Sequence, residues 1–300
     1  MHARLRTVIL GAAAGGGLPQ WNCGCRNCVA AREGTVPAQT QSSIAVSANG
    51  HDWTILNASP DIRAQMQATP ALHPTGLRVS PLRAVLLTNG DIDHIAGLLT
   101  LREKQPFTVF ATAAIRDIVE SNSVFAALDR NVVSFATVAL EQPFDLVEGL
   151  TATLFAVPGK VPLFMEGEVV VTDLVGEQTV GVMIEAGGAR LAYVPGCARM
   201  TPDLAERLGC VDAVLFDGTV YEDDEMIVAG LGAKTGRRMG HMPMAGEGGS
   251  LEAFRDSAVP RKVYVHINNT NPVWRPQSPE RRAVEAAGWQ IGHDGMEIEL

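Results

Sequence analysis

The sequence predicts an α/β protein with two layers of β-sheet enclosed by helices, and three observations predict it. Short apolar runs rich in β-branched residues recur along the 300 residues. Amphipathic stretches with helix-start signals lie between many of them. A Gly187-Gly188 pair joins two of the runs as a hairpin, so part of the sheet must be antiparallel. No Ser/Pro-rich linker divides the chain, and a single domain over residues 1–300 is expected.

Taken in order, strands are expected at residues 7–10, 43–47, 53–57, 83–88, 107–111, 150–157, 180–185, 190–194, 213–217 and 262–267. Each is short and carries the branched and aromatic side chains that suit a pleated, buried surface. Helices are expected to start at Ser59-Pro60-Asp61, Thr112, Thr201-Pro202-Asp203, Gly249-Ser250 and Ser278-Pro279-Glu280. At such starts a hydroxyl or carboxylate accepts from a free amide of the first turn, and proline gives up an N–H that has no partner there. The glycine-rich stretch 11–17 follows a strand, but no Gly-Lys-Ser/Thr follows and Pro19 interrupts the expected helix, so it is no phosphate loop. The longest aperiodic segment, about 221–249, holds Arg237, Arg238 and His241, and loops of that length often carry function.

Composition narrows the functional classes. A 46% hydrophobic content supports a large core and excludes disorder. With 33 acidic against 24 basic residues the net charge is −9, which gives no electrostatic support to non-specific nucleic-acid binding. No run approaches the roughly 18 apolar residues of a membrane-spanning helix. Neither nucleic acid nor membrane is therefore an expected partner. Five cysteines are present, three of them in Cys23-Gly24-Cys25-Arg26-Asn27-Cys28. That spacing is too tight for routine disulfides and suits a thiolate clamp on a metal in a reducing compartment, with the cytoplasm as the expected location.

Two strand ends concentrate the remaining chemistry. The run ending in Thr88-Asn89-Gly90-Asp91-Ile92-Asp93-His94 and the run ending in His266-Ile267-Asn268-Asn269 each turn from apolar to polar, and strand ends are where α/β proteins place their sites. If the two ends meet, Asp93, His94 and His266 supply one carboxylate and two imidazoles. Such a set leaves about half of an octahedron open and suits non-haem iron(II); zinc also accepts it. His2, His51, His73 and His293 lack metal-like spacing.

The order strand, Thr88-Asn89-Gly90-Asp91-Ile92-Asp93-His94, helix, with a distant strand-end His266, resembles the metallo-β-lactamase superfamily and its H-x-H-x-D-H motif. The resemblance implies an αββα sandwich. Asn89 and Asp91 stand where the motif's first two histidines belong, no histidine lies near Pro158-Gly159-Lys160, and Gly196 or Cys197 replaces a bridging aspartate. One half of a two-metal clamp is thus dismantled, which argues against dizinc hydrolysis. Together with Trp21-Asn22-Cys23-Gly24-Cys25-Arg26-Asn27-Cys28, Gly240-His241-Met242-Pro243-Met244 and Asn268-Asn269-Thr270-Asn271-Pro272, the chain is similar throughout to a family acting in pyrroloquinoline quinone (PQQ) biosynthesis.

That similarity implies a cytoplasmic protein whose substrate is a small peptide-derived intermediate with a cross-linked glutamate and tyrosine. The implied reaction is iron(II)-dependent hydroxylation of the tyrosine-derived ring, with O2 as co-substrate. A carrier of the quinone or its precursor and a metal-dependent hydrolase are the alternatives. Other PQQ biosynthesis enzymes and a homo-oligomeric assembly are the expected partners. Asp93, His94 and His266 become the iron ligands, His241 and Asp91 the catalytic acid–base candidates. Asn89, Lys160, Cys197, Arg237 and Arg238 become candidate substrate contacts, and Asp61 a brace of the metal loop. The knuckle at about residues 21–30 is expected to hold structural zinc through Cys23, Cys25 and Cys28, with Asn269, a poor ligand, or else a water or another residue closing the site.

Overall fold

The computed structural model describes residues 4–300; His2 lies outside them. The first part of the chain builds one sheet from β1 (Arg6–Gly11), β2 (Ser43–Ser47), β3 (Trp53–Leu56), β4 (Leu82–Leu86), β5 (Phe107–Ala111) and β6 (Val133–Thr137). The rest builds a second sheet from β7 (Pro143–Val147), β8 (Leu150–Ala156), β9 (Val180–Ala186), β10 (Ala189–Val194), β11 (Ala213–Asp217), β12 (Arg261–Val265) and β13 (Trp289–Ile291). The closing strand β14 (Glu297–Glu299) returns to the first sheet beside β1. The orders are β14-β1-β2-β3-β4-β5-β6 and β13-β12-β11-β10-β9-β8-β7, and both sheets are mixed. In each, three antiparallel pairings give way to three parallel ones.

Parallel neighbours need crossovers, and the helices supply them. In chain order they are α1 (Arg26–Arg32), α2 (Ile62–Ala68), α3 (Ile92–Ile95), α4 (Ala113–Ser121), α5 (Pro202–Leu208), α6 (Glu225–Val228), α7 (Gly236–Met239), α8 (Ser250–Ala253) and α9 (Pro279–Ala286). The start signals at Thr112, Thr201 and Ser278 act as expected, each hydroxyl accepting from the amide three residues on. Asp61 does not cap α2 with its side chain; its carboxylate accepts instead from the Gln41 backbone and side chain, at 2.9 and 3.0 Å. Gly187 and Gly188 hold φ of +61° and +90° at the β9–β10 turn, the conformation a two-residue hairpin requires.

Strands β3 and β11 are buried along their whole length, as strands covered on both faces must be. Strands β6, β7, β13 and β14, which the apolar runs did not announce, lie at sheet edges, are partly exposed and mix polar residues or a proline into short spans. Tyr193 of β10 ties the sheets together: its hydroxyl lies 3.2 Å from Ser42 Oγ and accepts from Asn57 Nδ2 at 3.4 Å. Burial drives that phenol up to about 12, so it stays neutral.

The segment at 221–249 is built rather than loose, since it contains α6, α7 and a left-handed Gly240 at φ +87°. A second long connection, residues 157–179 between β8 and β9, holds only a short 3-10 turn, Leu163–Met165. No helix among the described residues is long and apolar enough to cross a membrane.

Candidate metal centre and its pocket

The chain brings Asp93 and His94 to His266 through strand ends of both sheets. Beyond β4 the backbone turns at Asp91 into α3, and the turn after β3 grips that helix: Ala58 N–H donates to His94 O and Gly97 N–H to Ala58 O, each at 2.8 Å. Gly97 permits this approach, because a Cβ there would lie 2.2 Å from Ser59 O. Across the cleft, His266 leaves β12 with φ +55°, a left-handed conformation that costs a non-glycine residue energy.

Asp93 Oδ2 lies 3.1 Å from His266 Nε2 and 3.7 Å from His94 Nε2. The His94 and His266 rings meet edge-on at 5.4 Å, and one donor atom from each of the three residues lies within 4.8 Å of the others. His94 is 1% exposed, yet neither of its ring nitrogens has a hydrogen-bond partner. An orphaned buried imidazole is costly unless something fills its coordination. Burial pushes His94 down to about 4, so the ring is neutral. Burial pushes Asp93 the other way, but the His94 and His266 imidazoles outweigh it and hold the carboxyl well below its usual range. A neutral imidazole and an ionised carboxylate are the forms a metal binds, and the donor set fits iron(II) or zinc.

The histidines are oriented from behind. Thr219 Oγ donates to Asp217 Oδ1 at 2.7 Å and lies 2.9 Å from His266 Nδ1, so it accepts the Nδ1–H; His266 Nε2, 3.1 Å from Asp93 Oδ2, donates to that carboxylate when protonated and offers its lone pair to a metal when it is not. Asp217 Oδ2 lies 2.7 Å from His241 Nδ1, and the His241 and His266 rings stack at 5.1 Å. Sequence reasoning missed Asp217. Its signal was available: β11 runs apolar from Ala213 to Phe216 and then ends in a carboxylate, and the parallel register pairs Asp217 with Val265, the residue before His266.

A cavity of about 350 Å³ opens over these residues, lined in part by Asn89, Asp91, Lys160, His241 and His266. Burial, reinforced by neighbouring Asp93, pushes the Asp91 carboxyl up. Asn89 reaches the cavity while its Oδ1 accepts from the Asp91 amide at 2.9 Å. Three expected contacts fall differently. Cys197 is fully buried, its thiol donates to Arg199 O at 3.2 Å, and burial keeps it protonated, so it is no substrate contact. Only its backbone N–H serves the site, donating to Asp217 Oδ2 at 2.8 Å. Arg237 is outside the cavity lining, with Nη2 on Glu247 O at 2.8 Å. Arg238 likewise lies outside the cavity lining but pairs at 3.0 Å with Glu166 Oε2, and Glu166 itself lines the cavity. Asp61 touches none of the three donors; it holds Gln41, which accepts from Gly16 N, and Gly15 packs against the Asp93 carboxylate.

The cysteine cluster forms a separate centre. Cys23, Cys25 and Cys28 bring their sulfurs within 4.8 Å of one another, and α1 starts there with Cys25 Sγ accepting from Cys28 N. Burial raises the Cys28 thiol to about 11 without a metal beside it. Three convergent sulfurs fit zinc. Asn269 occupies the fourth side, but its Nδ2 points at the sulfurs, at 3.2, 3.6 and 3.3 Å from Cys23, Cys25 and Cys28. An amide nitrogen has no free lone pair, so in this orientation Asn269 donates to the thiolates rather than completing a tetrahedron.

A β-lactamase superfamily domain model matches residues 52–267. Coenzyme PQQ synthesis protein B of Ruegeria pomeroyi is 60% identical over 296 residues, covering 99% of this chain and all of the relative. The same protein of Rhizobium meliloti is 60% identical over 299 residues, covering 99% and 98%. The crystal structure of Zn(2+)-bound PqqB from Methylobacterium extorquens superposes with a TM-score of 0.97 at 58% identity, covering 98% of this chain and all of that one. A diphosphatase of the PhnP family, at 17% identity and a TM-score of 0.70, shares the fold. Fold and donor set are those of a metal-dependent enzyme of PQQ biosynthesis. The chain belongs to the PQQ synthesis protein B family of the metallo-β-lactamase superfamily.

Proposed function

We propose that this chain hydroxylates the tyrosine-derived ring of a cross-linked Glu-Tyr intermediate in PQQ biosynthesis, using iron(II) and O2. The observation that carries the reading is the cluster of Asp93, His94 and His266 beside an open cavity, with Asn89 and Asp91 where a second metal's histidines belong. Bound by those three residues, ferrous iron supplies the activation of dioxygen that no side chain can perform. Overall, one oxygen atom replaces a ring hydrogen and becomes the hydroxyl, the other leaves as water, and an external reductant provides two electrons.

The protein's own part is positioning and proton handling. His241, with Nδ1 on Asp217, presents Nε2 as a base for the phenolic proton. Asp91, its carboxyl pushed up by burial, lines the same cavity as the second acid–base candidate. Thr219 keeps His266 in the tautomer a metal needs. The test is anaerobic loading with ferrous iron, then substrate, reductant and oxygen. A product heavier by oxygen is expected, and turnover by zinc-loaded protein alone overturns the reading. The zinc-bound relative favours a second reading, metal-dependent hydrolysis, which predicts cleavage without oxygen.

A further inference from the structure

One partly buried carboxylate that lines the cavity is surrounded by three cations. Glu166 follows the short turn Leu163–Met165 in the connection between β8 and β9, and its side chain is 9% exposed. Its Oε1 lies 3.0 Å from Lys160 Nζ, and its Oε2 lies 3.0 Å from Arg238 Nη2 and 3.7 Å from Lys234 Nζ. The hydrogen bond from Arg238, with Lys160 and Lys234 beside it, holds Glu166 down at about 2. Lys160, Lys234 and Glu166 all line the cavity. Three cations thus meet on one carboxylate here.

Two details show that the cluster is not closed on itself. Arg238 Nη1 is enclosed and has no hydrogen-bond acceptor. The connection carrying Glu166 exposes Leu163, Phe164, Met165 and Val169 at 61%, 49%, 50% and 85%, so little apolar burial fastens it. Lys160, by contrast, is fixed: its stem lies along Gly240, where a Cβ would come 3.1 Å from Lys160 Cγ.

We propose that Lys160, Lys234 and Arg238 form a carboxylate-binding subsite, in which Glu166 is a resident stand-in that a substrate carboxylate replaces. That the incoming carboxylate belongs to an amino-acid-derived substrate rests on the function proposed above; the anion subsite itself does not. Glu166 leaves with its segment, and the vacated arginine and lysine donors, Arg238 Nη1 included, take the substrate's carboxylate in its place.

Glutarate is the probe and its uncharged diamide the control, titrated by calorimetry into zinc-loaded protein without iron or oxygen. Glu166→Gln removes the competing anion and should tighten glutarate binding about tenfold, while Lys234→Met and Arg238→Met should weaken it about tenfold, as loss of a charge-assisted contact does. The diamide should not bind. A Glu166→Gln protein that binds glutarate no better than its parent makes Glu166 a structural pin and overturns the proposal. So does unchanged affinity in both cation variants, the result expected if the probe merely coordinates metal. Lys234 is exposed enough for its variant to fold, and thermal melts check the other two. Because no oxygen chemistry is read, this result and that of the hydroxylation assay fail independently.

Discussion

Asp217 makes no contact with Asp93 or His94, yet its two oxygens receive Cys197 N, Thr219 and His241, so one carboxylate fixes the surroundings of two imidazoles. Asp217→Asn presents an amide N–H toward His241 Nδ1, which favours the wrong tautomer. The expected outcome is a fall in kcat of about a hundredfold, the scale of a lost general base. Metal content should be unchanged. Loss of metal together with activity would instead make Asp217 a support of the metal centre. At this scale the sequence was partly legible. Asp93, His94 and His266 were readable because a strand that turns abruptly polar has few structural reasons to do so. Cys197 was misread because motif position locates a backbone, whereas the direction of its side chain depends on packing with residues far away in the chain.

Among the elements, α1 owes its start to chemistry rather than helix propensity. It is seven residues long, its N-cap is Cys25, and Asn27 anchors it by donating to Asn269 O and Asn271 O at 2.9 and 2.8 Å. Short helices are marginal alone, so the three sulfurs and that anchor carry it. Cys25→Ser is expected to lose the zinc of this knuckle, leave the Asp93–His94–His266 metal in place and lower the melting temperature. His266→Ala should do the reverse, emptying the cavity centre while the knuckle stays loaded. Metal counts per chain for the two variants check both, and simultaneous loss of both metals in either would show that the two centres are coupled. Central strands were legible as apolar runs, and helices as capped starts. The edge strands β6, β7, β13 and β14 were not, because half-exposed, short pairings carry too little hydrophobic periodicity to stand apart from loops.

For the whole molecule, stability carries a pH signature from buried acids. Glu225 is pushed up to about 7 by burial, against hydrogen bonds from Thr270 and the Tyr221 amide. Its folded pKa exceeds the ordinary 4.5, so the folded chain holds the proton more tightly. The associated stability is complete below about 4.5 and is lost as pH rises through about 7. Glu225→Gln copies the protonated form and should reduce the fall in melting temperature between about pH 5 and 8 by about 2–4 °C. An identical fall in both proteins, measured by scanning calorimetry, would assign the pH dependence elsewhere. The two-sheet architecture itself was legible from the alternation of runs and helices. Which strand end faces which was not, because that depends on the packing of the sheets, where Tyr193 reaches Ser42 and Asn57.

The return of β14 to β1 has a consequence for how the protein is made. Thr7 pairs with Ile298, and Asp294 receives Ala12 N and Thr40 N, so residues 294–299 close the border of the sheet that residues 6–11 began. While the ribosome is still adding residues 290–299, that border is a row of unsatisfied amides and carbonyls able to recruit a neighbouring nascent chain. A substitution that breaks the β14 pairing therefore acts on the sheet border at residues 6–8, far away in the sequence.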